Sequence, residues 1–324
     1  MDRYDALAAW GSILSGRKPL LSIEITKECP LRCPGCYAYD TQHLGGEQTL
    51  RDLSDEKGDR LVERVLELVD RLRPMHLSIV GGDPLVRYRE LERLVPQLVD
   101  RGIYVQVVTS AFREIPRSFI GLPNLKVVIS VDGLPAEHDV RRKPATYERI
   151  LKSIAGHRVT IHATVTGNML QRPTYLEEFL SFWSAREEVN QMWISLFTPQ
   201  IGAEAPEILT PTQRAFVVRE LIRLRPLHPK LDMHEKMIRH FLTPPSSPQT
   251  CIFAQATETI SADLKTRITP CQFGGNPDCS QCGCAASMGL NALASIQLAP
   301  GLQVRKLFTI STAVGAVVKR LRAA

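Results

Sequence analysis

Three regularly spaced cysteines, Cys29, Cys33 and Cys36, form a CxxxCxxC run directly after the strand-like stretch 21–26. Cysteine accounts for only 8 of the 324 residues, so this spacing would arise by chance in roughly one such chain in 200. Soft thiolate ligands suit iron–sulfur clusters, and three of them on one tight loop can hold three irons of a 4Fe-4S cluster. The fourth iron would then lack a protein ligand, and an open iron is where chemistry can take place.

This loop allows two other interpretations. The cysteines could be three unrelated buried thiols, since free cysteine packs as a small apolar side chain. They could also bind zinc, but a structural zinc site is closed by four ligands, and this loop offers no fourth Cys or His. The sequence therefore favours an iron–sulfur cluster.

Composition narrows the class of protein. A hydrophobic content of 44% over 324 residues is enough for a large core. The chain has no apolar run of membrane-spanning length, and its first residues do not follow the pattern of a signal peptide. We therefore expect a soluble, cytoplasmic protein whose cysteines bind metal or take part in catalysis, because thiols stay reduced in that compartment.

The formal net charge of +6 lies mostly at the C-terminal end. Five of the 40 basic residues follow position 304, whereas none of the 34 acidic residues follows Asp278. The rest of the chain is close to neutral, so we expect no binding to nucleic acid.

The order of the predicted elements indicates a parallel α/β fold. Strands are predicted over 21–26, 76–80, 103–109, 125–131, 159–166 and 191–197. Helices are predicted over 54–73, with Ser54 as N-cap, and over 89–101, 146–155 and 175–186. The pattern turns helical after Thr210.

The same patterns divide the chain into five parts. The predicted parts are an N-terminal lead-in (1–19), an α/β core with following helices (20–242), a Pro- and Ser-rich linker (243–250), a cysteine-rich region (251–302) and a basic tail (303–324).

The cysteine loop, the strand count and the turn Gly81-Gly82-Asp83-Pro84 together resemble the radical S-adenosylmethionine superfamily, over roughly residues 20–200. The resemblance implies a partial (β/α)6 TIM-like barrel with a small cysteine-rich C-terminal extension. It also implies that Cys29, Cys33 and Cys36 hold a 4Fe-4S cluster whose open iron chelates the amino and carboxylate groups of S-adenosylmethionine. In this family an electron from the reduced cluster cleaves S-adenosylmethionine to methionine and a 5'-deoxyadenosyl radical, which abstracts a hydrogen from the substrate.

The glycine turn is similar to the family's Gly-Gly-Glu-Pro, where backbone oxygens and the acid meet the methionyl ammonium group. The resemblance thus makes Gly81, Gly82, Asp83 and Pro84 cofactor contacts. Asp83 is one methylene shorter than the usual Glu, so the contact could pass to the backbone alone. An ordinary turn is the alternative.

A second motif follows the fourth strand. Ser130 and Asp132 are two residues apart and so point to one face of the strand. By resemblance that face meets the ribose or the substrate, and Arg142 reaches the cofactor carboxylate through a charge-assisted bond. A surface salt bridge between Arg142 and Asp139 is the alternative.

Other positions depart from the family pattern or carry weaker signals. Gly35 stands where many relatives have an aromatic residue over the adenine, so Tyr37 is assigned that role, with simple packing as the alternative. The run 109–111 replaces the frequent Thr-Asn-Gly. On the fifth strand we assign Thr164 to the cofactor, whereas His162 on the same face is more simply a core histidine.

The remaining five cysteines lie in the C-terminal region, at Cys251, Cys271, Cys279, Cys282 and Cys284. The stretch 260–271 resembles the strand-turn-strand of the family's SPASM or twitch extensions, which implies an auxiliary 4Fe-4S cluster with four thiolates and no open iron. We favour Cys251, Cys271, Cys279 and Cys282, with Cys284 as an alternate ligand. A zinc site on the same thiolates is the alternative.

The tail and the substrate complete the expectations. Apolar residues at helical spacing among basic ones indicate an amphipathic helix, which would close the floor of the barrel or lie on an anionic membrane. The auxiliary region favours a peptide substrate, with a lipid or isoprenoid as the alternative. An electron donor such as flavodoxin or ferredoxin is implied. A non-catalytic iron–sulfur scaffold or an electron-transfer protein is the alternative of another class.

Overall fold

A computed structural model describes residues 3–323, with side chains for 6–322. Seven parallel strands form its centre, in the order β6-β5-β4-β3-β2-β1-β7. They are β1 (Leu20–Glu24), β2 (His76–Val80), β3 (Tyr104–Thr109), β4 (Leu125–Ser130), β5 (Val159–Val165), β6 (Val189–Leu196) and β7 (Thr257–Ile260). Because β1 to β6 are neighbours in chain order, the sheet has the arrangement of a (β/α)6 unit, with β7 added beside β1.

Helices follow most strands and cover one face of the sheet. They are α1 (Arg3–Leu14), α2 (Gly58–Leu72), α3 (Tyr88–Asp100), α4 (Pro135–Arg141), α5 (Tyr147–Ile154), α6 (Tyr175–Ser184), α7 (Pro211–Leu224), α8 (Glu235–Arg239), α9 (Ile252–Ala256), α10 (Ala285–Ala294) and α11 (Val304–Ala323). A short antiparallel hairpin, β8 (Gln297–Ala299) and β9 (Leu302–Gln303), precedes α11.

The two faces of the sheet differ in character. Side chains such as Leu21, Ile23 and Ile79 are fully buried against the apolar stripes of α2 and α3. The opposite, concave face carries polar side chains, among them Ser22, Ser78 and His162. The alternation thus places the core under the helices and leaves a polar interior for chemistry.

The predicted α/β class with a parallel sheet is confirmed. The six predicted strands are present, with each boundary within two residues of the prediction. Ser54 as N-cap is wrong, because α2 begins only after Lys57. Residues 54–57 are held outside the helix, since the Asp55 carboxylate accepts hydrogen bonds from Thr26 and Arg87.

The strand-turn-strand predicted over 260–271 is present in a shortened form. β7 ends at Ile260, and the returning chain pairs antiparallel with it through the bridge between Ile260 and Arg267 and the hydrogen bond from the Ile268 amide to the Thr259 carbonyl at 2.9 Å.

The tail is helical, as predicted. Helix α11 packs on α1, where Phe308 joins Trp10 and Ile13 in a small apolar cluster next to Leu20, the first residue of β1. Among the helices of residues 3–323, none is both long and apolar enough to cross a membrane.

Candidate active site

The loop with Cys29, Cys33 and Cys36 leaves the carboxyl end of β1, the end at which parallel α/β sheets hold their ligands. Its three thiols are half-buried. Burial is the main reason that the pKa of Cys29 is raised to about 12, and the nearby Cys33 and Cys36 contribute. The free thiols are therefore protonated, so binding a metal here must release protons.

The glycine turn after β2 holds this loop by its backbone. The amide of Gly82 donates to the Thr26 carbonyl at 2.7 Å, and the amide of Asp83 donates to the Glu28 carbonyl at 2.9 Å. A Cβ at residue 82 would lie 2.0 Å from the Glu28 carbonyl oxygen, and Gly81 has a φ of +119°. Both positions therefore require glycine, which an ordinary turn would not.

The Asp83 side chain is buried and forms hydrogen bonds with the end of β3 and the residue that follows it. One carboxylate oxygen accepts from the Thr109 hydroxyl at 2.6 Å and from the Leu85 amide at 3.0 Å. The other accepts from the Ser110 amide at 2.9 Å and the Ser110 hydroxyl at 2.5 Å. With the side chain 2% exposed and both oxygens engaged, only the backbone of this turn faces a ligand. Pro84 begins the short helical turn that follows.

Asp132 anchors two arginines beside the cysteine loop. Its carboxylate accepts from Arg142 at 2.7 Å and from Arg141 at 3.2 Å. Burial alone would raise the pKa of Asp132, but the guanidinium groups of Arg142 and Arg141 hold it below its ordinary value. Arg141 also donates to the Pro34 carbonyl at 2.6 Å and to the Glu207 carboxylate at 3.0 Å, so it ties the loop to the sheet.

The predicted alternative partner of Arg142 is wrong. Asp139 accepts instead from the amide of Tyr147, and Arg142 turns inward toward Asp132 and the thiol of Cys33. The Nε of Arg142 is buried without a partner among the described residues. An orphaned, charged donor beside the three thiols is a group to which an anionic ligand could bind.

The concave faces of β4, β5 and β6 bring further polar groups together. Ser130 pairs in register with His162, and Thr164 with Ser195. The Nε2 of His162 lies 2.8 Å from the Ser195 hydroxyl. Burial lowers the pKa of His162 to about 4, so this ring is neutral at physiological pH. Thr164 is half-buried on the same face.

Tyr37, assigned to the adenine by resemblance, packs against two other rings. Its ring packs edge-on against Phe273 at 5.3 Å and is tilted against His43 at 5.7 Å. Cys36 of the loop and Cys271 and Cys284 of the C-terminal region are among the groups near it. Tyr37 is therefore close to cysteines of both groups.

A buried ion pair between His43 and Glu24 lies next to Tyr37. It was not predicted from the sequence. The His43 ring lies 2.8 Å from the Glu24 carboxylate and 2.9 Å from the Phe273 carbonyl, and Ser261 donates to Glu24 at 2.5 Å. Burial alone would lower the pKa of His43, but the bond to Glu24 raises it above the ordinary value. No spacing rule links residues so far apart along the chain.

The space left by Gly35 is filled from another strand. Gly35 has a φ of +66°, and a Cβ there would lie 3.0 Å from the ring of Phe197, directly after β6. An open cleft of about 380 Å³ borders the loop on its other side and is lined by Glu28, Cys29, Pro30, Val86, Phe112 and Arg113. The loop is thus accessible from solvent.

The five C-terminal cysteines line one cavity. All of them face it, together with apolar side chains such as Phe253, Phe273 and Pro245. Cys251 and Cys284 are buried, whereas the other three are half-buried. Burial raises the pKa of Cys271 to about 12 and that of Cys282 to about 11. The stretch predicted as a linker contributes Pro245 and Pro248 to the wall of this cavity.

The end of β6 and α7 fix the segment that carries three of these cysteines. Gly283 donates to the Thr198 hydroxyl at 2.9 Å, and a Cβ at residue 283 would lie 2.0 Å from the Leu196 carbonyl. Arg214 of α7 donates to the carbonyls of Gln281 and Cys282. The cavity is therefore built onto the sheet and is no separate appendage.

The two sets of cysteines can be compared with the geometry of a zinc site and of a 4Fe-4S cluster. Within the described part of the chain, no three or more His, Cys, Asp or Glu side chains converge on a point that could hold a single metal ion. A tetrahedral zinc site brings its thiolates close around one ion, whereas a 4Fe-4S cluster carries them at separate corners of a larger body. The structure offers three thiols on one loop and five around one cavity as donors.

Comparisons with known proteins concern the domain that carries this loop. Residues 23–180 match the family model described as the Radical SAM superfamily. The chain is 32% identical over 89 residues to PqqA peptide cyclase of Rhodopseudomonas palustris, covering 28% of this chain and 21% of that protein. It is 30% identical over 107 residues to 7-carboxy-7-deazaguanine synthase of Hyperthermus butylicus, covering 33% of this chain and 41% of that protein. The chain therefore matches less than half the length of either relative.

A solved structure extends the fold comparison. Streptococcus suis SuiB, bound to precursor peptide SuiA, superposes with a TM-score of 0.56 at 15% identity, over 80% of this chain and 61% of that one. At this identity the likeness shows the fold alone.

The parallel sheet and the cysteine loop at its carboxyl edge define a partial-barrel protein of the radical S-adenosylmethionine type. The chain carries a domain of the radical SAM superfamily, and the family resemblance drawn from its motifs is confirmed.

Proposed function

We propose that Cys29, Cys33 and Cys36 hold a 4Fe-4S cluster and that the protein cleaves S-adenosylmethionine reductively. When bound, such a cluster supplies the electron that breaks the carbon–sulfur bond of S-adenosylmethionine, giving methionine and a 5'-deoxyadenosyl radical. The observation that carries the proposal is the combination of three thiols on one loop with the buried, unpartnered Nε of Arg142 beside them.

In this proposal the residues around the loop position and shield the cofactor. The backbone of Gly81 and Gly82 faces the methionyl ammonium group, with Asp83 acting only as the brace of the turn and Pro84 as its end. Arg142 binds the methionyl carboxylate, held in place by Asp132. Ser130 and Thr164 line the interior where the ribose or the substrate lies. We assign no adenine contact to Tyr37. Phe197 is the ring nearest to Gly35, the position that by resemblance lies over the adenine.

We further propose an auxiliary 4Fe-4S cluster in the C-terminal cavity, on Cys251, Cys271, Cys279 and Cys282, with Cys284 as the alternate ligand. Its support is the presence of all five thiols around one cavity. A cluster with four thiolates has no open iron, so its role would be to transfer electrons or to stabilise this region.

The substrate we propose is a peptide. PqqA peptide cyclase and SuiB in complex with its precursor peptide support this class, whereas 7-carboxy-7-deazaguanine synthase shows that a match of this length also reaches enzymes of other substrates. A lipid or isoprenoid substrate comes second. The reductant in the cell would be a flavodoxin or a ferredoxin, and the protein would work in the cytoplasm.

The cleavage reaction is tested by anaerobic reconstitution with iron and sulfide, followed by an assay of 5'-deoxyadenosine with dithionite. The wild type is expected to bind about eight irons and to form 5'-deoxyadenosine. The triple variant Cys29→Ala/Cys33→Ala/Cys36→Ala should retain about four irons and form none. A fully loaded wild type that forms no 5'-deoxyadenosine would favour a scaffold or electron-transfer protein instead.

The substrate class is tested by following the abstracted hydrogen. Cells grown in heavy water provide deuterated peptide, lipid and small-molecule fractions, and each is incubated with the loaded enzyme. Deuterium should enter 5'-deoxyadenosine from the peptide fraction, because the radical takes a hydrogen from its substrate. Transfer from the lipid or small-molecule fraction alone would refute the peptide proposal and leave the cleavage proposal intact.

A further inference from the structure

Helix α11 has an unusual distribution of apolar residues. It buries one face, with Phe308 4% and Ser311 3% exposed and Gly315 packed against the Ile13 carbonyl. A surface helix normally presents polar side chains on its solvent-facing side. Here four large apolar side chains lie there, exposed by 45 to 74%. They are Ile310, Val314, Val317 and Leu321.

These four residues form one continuous stripe. They stand at positions i, i+4, i+7 and i+11, which share one side of a helix with about 3.6 residues per turn. The contacts of α11 with α1 and with Thr250 and Asn291 lie on its other sides. The stripe therefore faces away from the protein, and we call it the α11 stripe.

The charges beside the α11 stripe are of one sign. By helical spacing, Lys306 and Arg320 lie along one edge of the α11 stripe. Lys319 and Arg322 lie further round the helix, and all four side chains are exposed. No acidic residue occurs in α11 or anywhere after Asp278. An apolar stripe with basic side chains along its edge is complementary to a surface that is apolar inside and negatively charged outside.

We propose that α11 docks the protein on an anionic lipid bilayer, lying parallel to the membrane plane with Ile310, Val314, Val317 and Leu321 inserted at the level of the headgroups. Lys306 and Arg320 then contact the lipid phosphates. Association with a second copy of the chain would also cover an apolar stripe, but it would bring the two sets of basic side chains together, and charge repulsion opposes that arrangement. The proposal is independent of the substrate on which the enzyme acts.

The test is co-sedimentation of the intact, cluster-loaded protein with vesicles made of equal parts phosphatidylcholine and phosphatidylglycerol, beside vesicles of phosphatidylcholine alone. The wild type should sediment with the anionic vesicles and stay in solution with the neutral ones. The variant Val314→Asp/Val317→Asp should lose this binding. Because both side chains are already about half exposed, the change should leave the fold intact.

Two further variants separate the contribution of the basic side chains to vesicle binding from a general effect of added negative charge. Lys306→Gln/Arg320→Gln should weaken binding more than about tenfold, since each basic residue near an anionic surface strengthens binding about fivefold. Ile120→Asp/Leu227→Asp adds the same two negative charges at exposed apolar positions far from α11 in the chain, 54% and 62% exposed, and should bind as the wild type does. All variants should form 5'-deoxyadenosine at the wild-type rate, so that loss of docking is distinct from loss of the reaction.

Three outcomes would overturn the proposal. One is a wild type that stays in solution with anionic vesicles at low salt. Another is binding that Val314→Asp/Val317→Asp retains, because charge alone would then explain it. The third is a wild-type dimer in sedimentation velocity that this variant makes monomeric, since the α11 stripe would then be an interface between copies.

Discussion

The two cysteine sites differ in what surrounds their thiols. The loop of Cys29, Cys33 and Cys36 lies beside an open cleft and a charged group, the Asp132–Arg142 pair. The C-terminal cavity encloses its five thiols among aromatic and proline side chains. Three thiols beside a guanidinium group whose Nε has no partner among the described residues suit a cluster that binds a ligand, whereas a cavity with a mostly apolar lining suits a cluster that does not. The charge and polarity of the surroundings, more than the count of cysteines, thus separate the proposed roles.

The largest effect is expected when either site is left with too few thiols for its cluster. Cys33→Ala should abolish 5'-deoxyadenosine formation and leave the C-terminal iron, about four per chain, in place. Cys271→Ala/Cys284→Ala, which leaves three thiols in the cavity, should lose the C-terminal iron but still cleave S-adenosylmethionine. The measurements are iron content and 5'-deoxyadenosine after reconstitution. Equal loss of cleavage in both variants, with the first cluster still loaded, would contradict the division of roles.

The next largest effect concerns the backbone that holds each site. In Gly82→Ala the new methyl group would meet the Glu28 carbonyl at 2.0 Å, so the cysteine loop must move. A shift of this kind should slow S-adenosylmethionine cleavage about 100-fold. In Gly283→Ala the methyl group would meet Leu196 at the same distance, and the C-terminal iron should fall while cleavage persists.

Gly11→Ala is the matched control, because a Cβ at that position has no atom within 4 Å. It should leave both iron content and cleavage at wild-type values. Wild-type cleavage by Gly82→Ala would show that the turn after β2 does not position the loop.

A smaller effect is expected for the cation of the open site. Arg142→Gln removes the proposed carboxylate ligand and leaves Asp132 with Arg141 alone. The KM for S-adenosylmethionine should rise at least about tenfold, the value of one charge-assisted hydrogen bond. The control is Arg172→Gln, whose partner Glu178 is exposed, and it should leave this KM unchanged. An unchanged KM in Arg142→Gln would assign the carboxylate to another residue.

The smallest effect concerns pH and the neutral His162. Its pKa is lowered to about 4 by burial, with Asp132 and Arg142 as the charged groups nearby. As the pH falls below 6.5, the unfolded chain binds a proton that the folded protein does not. The free energy of unfolding should therefore fall by about 1 kcal/mol more in the wild type than in His162→Gln between about pH 7 and pH 5.5. Denaturant titrations at both pH values measure it, and parallel losses in the two proteins would contradict it.

Local signals were sufficient to propose the site on the loop after β1. The three cysteines and the two glycines each lie within a short stretch of sequence. There the residue types alone indicate what the local structure needs: thiols at Cys29, Cys33 and Cys36, and no side chain at Gly81 and Gly82. The six predicted strands likewise follow from alternation and length. Arg142 could be named from its motif, but its partner Asp132 had to be seen in the fold.

Features that depend on long-range contacts were not predictable in the same way. Arg141 contacts Glu207 and Pro34, which are far from Arg141 in the chain. Only the tertiary structure therefore shows that Arg141 holds the cysteine loop in place. The direction of Tyr37 depends on His43 and Phe273 in the same way. Strand β7 is four residues long and has no periodicity to detect.

The difference between the two sites is tested most directly by electron paramagnetic resonance of the dithionite-reduced, fully loaded protein, with and without S-adenosylmethionine. The spectrum of the wild type should change when S-adenosylmethionine is added, because one cluster has an open iron. The variant Cys29→Ala/Cys33→Ala/Cys36→Ala should keep a cluster signal that S-adenosylmethionine leaves unchanged. A wild-type spectrum that does not respond, or a response that survives in this variant, would contradict the assignment of the open site to the loop after β1.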